Sequence, residues 1–262
     1  MPDNDPKTGQ AMTYHDSTPA VQDKQALLDD LVDANHILFD EGVLDAFGHV
    51  SIRHPDDPER FLLARNMAPG LVTRDDILTF ELDGTPVDAE GRKVYLERFI
   101  HGEIYRLRPD VMAVVHSHSP SVVPFSAVKS TPLRPMCHMS GFLGDGAPIF
   151  EIRDVAGTAT DLLIRDRALG ASLADSLGEN NVVLMRGHGA TVTAATLKQA
   201  VYRAIYVEVN ARLQADALRL GPVEYLTAGE ARSAMETTEG QVERPWQLWK
   251  QRARQARATS TS

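Results

Sequence analysis
The sequence predicts an α/β layered fold, and two observations carry that expectation. Segments with apolar residues at helical spacing alternate with short apolar or alternating runs of strand character along the chain. Two of the apolar runs, Val111 to Val115 and Val182 to Met185, lead directly into histidine-bearing segments, where rigid scaffolds commonly place chemistry.

Residues 1–18, rich in Asp, Lys, Thr and Gln, read as a flexible leader, and Thr18-Pro19 then resembles an N-cap with proline at N1. Ala26, Leu27, Leu31, Ala34, Ile37 and Leu38 follow a helical period up to Gly42, a suitable C-cap. His49 to Arg53, Phe61 to Ala64 and Ile77 to Leu82 read as strands, the last closed by an Asp83-Gly84 turn. Tyr95 to Leu107 reads as an amphipathic helix stopped by Arg108-Pro109-Asp110. A long helix is expected from about Thr196 to Leu220. No composition shift divides the chain, so residues 19–240 are expected to form a single domain, with 241–262 as a C-terminal tail segment.

Composition narrows the function classes. Across 262 residues the net charge is −9, which disfavours a surface that tracks nucleic-acid phosphates. The one basic run, Lys250 to Arg257, reads as a solvated terminus. No apolar run approaches the roughly 20 residues that span a bilayer, and the first residues are polar, so no membrane association and a cytoplasmic location are expected. Cys137 is the only cysteine, which rules out an intramolecular disulfide and thiolate metal clusters. Any metal must rely on His, Asp and Glu.

His116-Ser117-His118 meets that need. On a strand, positions i and i+2 share a face, so both imidazoles can reach one ion. Gly187-His188-Gly189 follows the second apolar run in an equivalent place, and its glycines let the chain turn sharply at a crowded centre. Three imidazoles leave a coordination position open, as in catalytic rather than structural sites. They suit zinc, manganese, iron or cobalt. His101 lies on the Tyr95 helix with no assigned direction, while His49 and His138 are candidates for substrate contact.

Gly48-His49-Val50-Ser51, the Glu97 helix, His116-Ser117-His118 and Gly187-His188-Gly189, in that order, resemble the class II aldolase/adducin family over about residues 25 to 215. The resemblance implies a three-layer αβα sandwich around a central mixed, largely antiparallel sheet. It also implies a divalent metal, often zinc, held by His116, His118 and His188, with Glu97 as acid/base, and a cyclic homotetramer with sites between subunits. Where sugar-phosphate-cleaving members hold the phosphate, this chain reads His49, Pro69-Gly70 and Tyr95-Leu96, which argues against a phosphorylated sugar. Phe47 to Pro55, Glu97 to Tyr105 and Leu133 to Met136 are similar to the branch that decarboxylates hydroxylated pyridine and phthalate dicarboxylates.

The chemistry expected is therefore that of a metal-dependent carbon–carbon lyase, taking a small-molecule aromatic acid and stabilising an enolate- or phenolate-like oxygen. Glu97 would deliver a proton, which requires it to be protonated at that moment; an apolar wall would favour this and a cation would oppose it. Arg65 and Arg186, near the motifs, could grip a second carboxylate. Three alternatives remain at this stage: an aldolase acting on an unphosphorylated substrate, a cupin-type iron oxygenase, and a non-catalytic adducin-like binding module.

Overall fold
The computed structural model describes residues 24–260; the leader expected over 1–18 and the Thr18-Pro19 cap lie outside them. In chain order the elements are α1 (Lys24–Asp40), β1 (His49–Arg53), β2 (Arg60–Ala64), β3 (Ile77–Glu81), α2 (Arg98–Leu107), β4 (Ala113–Ser117), α3 (Val123–Ala127), β5 (Ile149–Phe150) and α4 (Arg153–Ala156). They continue as α5 (Arg167–Leu177), β6 (Val182–Met185), β7 (Gly189–Ala194), α6 (Leu197–Leu220), α7 (Ala228–Glu239) and α8 (Glu243–Ser260). The strands form one seven-stranded sheet in the order β3-β2-β1-β4-β7-β6-β5. Every neighbouring pair is antiparallel except β5 with β6.

Alternation along the central strands divides the interior into two layers. Ala113 and Val115 of β4, with Val182 and Leu184 of β6, pack into a core shared with α1, α6 and α8. Val114, Val183 and Met185 point the other way, into a core shared with Ile100 and Ile104 of α2 and Leu173 and Leu177 of α5. The result is an αβα sandwich around a mixed, largely antiparallel sheet, which excludes the cupin barrel. The parity of β4 also places His116 on the α2 face, with Val114.

Two local expectations change. The Tyr95 helix begins at Arg98, leaving Glu97 at its N-cap with φ −90° and ψ 18°. Tyr95 is anchored outside the helix, its hydroxyl donating to the Met67 carbonyl and its own carbonyl accepting from Arg98. The residues expected as a tail include α8, whose Trp246 and Trp249 are buried in the core. Lys250, Arg254 and Arg257 are not a solvated terminus: all three pair with Asp33 of α1. The Asp33 side chain is only 2% exposed, and a carboxylate so placed requires cationic partners.

Candidate active site
The sheet assembles the site by register. β1 and β4 pair so that His49 lies opposite His116, both facing α2. One residue beyond the end of β4, His118 turns its Nε2 to 3.3 Å from that of His116. His188 arrives from the other side on the tight β6–β7 hairpin, where Met185 pairs with Gly189 and Gly187 takes a φ of +66°. A Cβ at Gly189 would sit 2.0 Å from the Ser117 carbonyl oxygen, so only glycine lets the hairpin close on β4.

The outer nitrogens define what the inner ones can do. His188 Nδ1 is 2.9 Å from the Leu162 carbonyl, which only accepts, so Nδ1 carries the proton. His118 Nδ1 is 3.0 Å from Asp45 Oδ2, and the Phe47 and Gly48 amides donate to Asp45 Oδ1 and help keep its carboxyl ionised. With both Nδ1 atoms held by outer acceptors, the Nε2 atoms of His118 and His188 face each other at 3.0 Å. Imidazole nitrogens brought this close to one another suit a shared cation. Glu97 joins these histidines to make four donors, all within 4.8 Å of one another. The donor set fits a divalent ion with His ligands oriented by outer partners. His116 lacks such a partner, its Nδ1 being buried without a hydrogen bond.

Glu97 is held at both oxygens. Oε1 accepts the Ile164 amide at 2.9 Å, while Oε2 lies 3.6 Å from His116 Nε2 and 3.4 Å from His188 Nε2. Burial works against its charge, but the two imidazoles outweigh it and keep the carboxyl well below the usual carboxylate range. The same contact raises His188 against the effect of burial. In His116 burial prevails and lowers the ring to about 4. Of the two opposed influences named from the sequence, an apolar wall and neighbouring positive charge, burial is outweighed and Glu97 rests as a carboxylate.

These groups face a cavity of about 590 Å³ lined by Phe47, His49, Asn66, Tyr95, Leu96, Glu97, His118, Asp161, Leu162, Leu163, Gly187 and His188. Its walls are largely apolar with polar groups converging on the metal-competent end, the usual composition of a small-molecule site. His49 lines it. Arg65 and Arg186 do not: Arg65 binds Asp76 at 2.6 Å, and Arg186 binds Glu151 at 2.7 Å. Each arginine already has a carboxylate partner from its own fold, and only its chain neighbour, Asn66 or Gly187, reaches the cavity. His138 opens a 3-10 turn, His138–Leu143, packed against α7 and away from this cavity within the chain.

The sequence alone assigned no role to Asp45, Ser51 or Tyr105 and left His101 without a direction. His49 Nδ1 is 2.7 Å from His101 Nε2, His101 Nδ1 is 2.6 Å from Ser51 Oγ, and Ser51 Oγ is 2.8 Å from the Tyr105 hydroxyl. Burial lowers His101 to about 3 and His49 well below its ordinary value, so both rings are neutral. The signals were present: Glu97, His101 and Tyr105 recur at four-residue spacing, and His49 and Ser51 at two. Asp45-Ala46-Phe47-Gly48 carries the pattern of an Asx turn.

Residues 29–215 match the family described as Class II Aldolase and Adducin N-terminal domain, and the chain belongs to it. The decarboxylase tropJ of Talaromyces stipitatus is 40% identical over 237 residues, covering 82% of this chain and 89% of that protein. The 3,4-dihydroxyphthalate decarboxylase of Arthrobacter keyseri is 34% identical over 196 residues, covering 69% of this chain and 74% of its relative. In fold, an aldolase II superfamily protein from Pseudomonas syringae superposes with a TM-score of 0.73 at 20% identity, over 89% of this chain and 94% of its own. The chain is an enzyme of the lyase type.

Proposed function
We propose that the enzyme decarboxylates a hydroxylated aromatic or heteroaromatic carboxylate or dicarboxylate, with a divalent ion held by His116, His118 and His188. The observation that carries this reading is the convergence of three Nε2 atoms and an ionised Glu97 at the end of a cavity walled by Phe47, Tyr95, Leu96, Leu162 and Leu163. Flat apolar walls suit an aromatic ring, and decarboxylases of such acids are among the relatives. Zinc or manganese suits the donor set best, with iron or cobalt as further options.

A bound divalent ion supplies a Lewis acid for the ring oxygen ortho to the departing carboxylate. Glu97, ionised at rest, accepts the proton of that ring hydroxyl. It then returns the proton to the ring carbon bearing the carboxylate, and carbon dioxide leaves while the C–C bonding pair restores the aromatic ring. Solvent protonates the product phenolate, and Glu97 ends as it began. His49 hydrogen-bonds a substrate oxygen.

Phe47 and Leu96, 72% and 57% exposed at the cavity rim, support a homotetramer in which a neighbouring subunit covers them. No helix among the described residues is long and apolar enough to cross a membrane, in keeping with a cytoplasmic enzyme.

The test is incubation of metal-loaded protein with 3,4-dihydroxyphthalate. Loss of the carboxylate beside the 3-hydroxyl yields carbon dioxide and 3,4-dihydroxybenzoate. Absence of carbon dioxide, with aldehyde-dependent bond exchange on unphosphorylated hydroxy-carbonyls instead, would transfer the assignment to an aldolase.

A further inference from the structure
The buried chain behind His49 has a direction. The Tyr105 hydroxyl, 1% exposed, has Ser51 Oγ as its hydrogen-bond partner among the described side chains. The Tyr105 O–H is therefore the proton that fills the 2.8 Å gap to Ser51 Oγ. Ser51 has one proton of its own, and having accepted from Tyr105 it donates to His101 Nδ1. A neutral His101 that accepts at Nδ1 carries its proton on Nε2 and donates it to His49 Nδ1. His49, accepting at Nδ1, is left with its proton on Nε2, the ring nitrogen available to a molecule in the cavity.

We propose that Tyr105, Ser51 and His101 are positioning residues that lock His49 in its Nε2–H tautomer, making it a fixed hydrogen-bond donor that selects a substrate bearing a proton-free oxygen, carboxylate or phenolate, at that point. In the reverse sense Ser51 would donate to Tyr105, and the buried Tyr105 O–H would be left with no side-chain acceptor among the described residues. All three supporting side chains are buried: His101 and Ser51 are fully buried, and Tyr105 is 1% exposed. In such surroundings an unpaired donor or acceptor is expensive, which is what makes the direction binding. The selectivity part of the proposal rests on reading the cavity as an aromatic-acid site; the tautomer does not.

The two parts are measured separately. In zinc-loaded, 15N-histidine-labelled protein, the His49 signals, assigned by their absence in His49→Gln, are expected to show a protonated Nε2 and a bare Nδ1. A wild-type His49 protonated at Nδ1 overturns the proposal whatever the enzyme turns over. His101→Gln, whose amide N–H can replace the Nε2–H donor, is expected to keep the tautomer. His101→Leu, which fills the space without donating, is expected to lose it and to raise KM for the aromatic acid about tenfold or more, with a smaller change in kcat. If packing alone were His101's role, leucine would serve at least as well as glutamine, and that ranking would also overturn the proposal. Should the leucine variant not fold, the wild-type and His101→Gln spectra still decide the tautomer.

Discussion
Asp45 and His118 stand 73 positions apart in the chain, yet Asp45 Oδ2 lies 3.0 Å from His118 Nδ1. The carboxylate is itself fixed by the Phe47 and Gly48 amides, so it holds the imidazole in one tautomer and one orientation. Replacing Asp45 with Ala should leave the three ligands in place and weaken metal binding by about 10- to 100-fold, read by chelator competition. Unchanged affinity would show that the contact does not orient the ligand.

Glu97→Gln keeps the acceptor for the Ile164 amide but removes the base. The expected result is a fall in kcat of about 10²- to 10⁴-fold with metal content nearly unchanged. A loss of metal in parallel with activity would instead make Glu97 primarily a ligand.

Gly189→Ala places a Cβ 2.0 Å from the Ser117 carbonyl oxygen, and neither backbone can yield without moving His118 or His188. Destabilisation of about 1–3 kcal/mol is expected from the overpacking, together with weaker metal binding. Urea unfolding and metal titration report the two effects independently.

Acid should destabilise the metal-free protein. His101 and His116 hold folded-state values of about 3 and about 4 against an ordinary 6.5, and His49 is lowered in the same direction. Between about pH 6.5 and 4 the unfolded chain therefore binds protons that the folded chain refuses, and stability falls with pH. His188, raised by Glu97, acts in the opposite direction, contributing stability at low pH that fades as pH rises through its folded value. His36 and His54 are lowered by burial as well, so five rings against one predict a lower urea midpoint at about pH 5 than at about pH 7.

Trp246 is 1% exposed, so Trp246→Ala should cost about 3–5 kcal/mol, measured by urea denaturation. A loss below about 1 kcal/mol would mean that α8 is not integral to the domain.

Much of the site was legible because its donors sit where periodicity is strongest. β6 coincides with the apolar run that announces it, β1 with an expected strand, and β4 is shifted two residues along from its apolar run, while His116, His118 and His188 follow from strand spacing and flanking glycines. Arg65 and Arg186 misled because a guanidinium near a motif does not reveal its partner: Asp76 and Glu151 reach them only through tertiary packing. β7, Gly189–Ala194, escaped because small residues and threonines give it little hydrophobic signal, and its burial on both faces comes from the neighbouring layers. The charge state of Glu97 depends on two imidazoles brought from β4 and the β6–β7 hairpin, which no local pattern encodes.

The β6–β7 hairpin also sets an order of events during synthesis. His116 and His118 emerge from the ribosome well before His188, and the sheet positions that bring them together require β7 to slot between β4 and β6. A nascent chain with only the first two histidines is a poor trap for metal, so wrong ions have little opportunity to be captured early. For the proposed metal site, ion selection would be deferred until the central strands have paired, when shape as well as donor chemistry can discriminate.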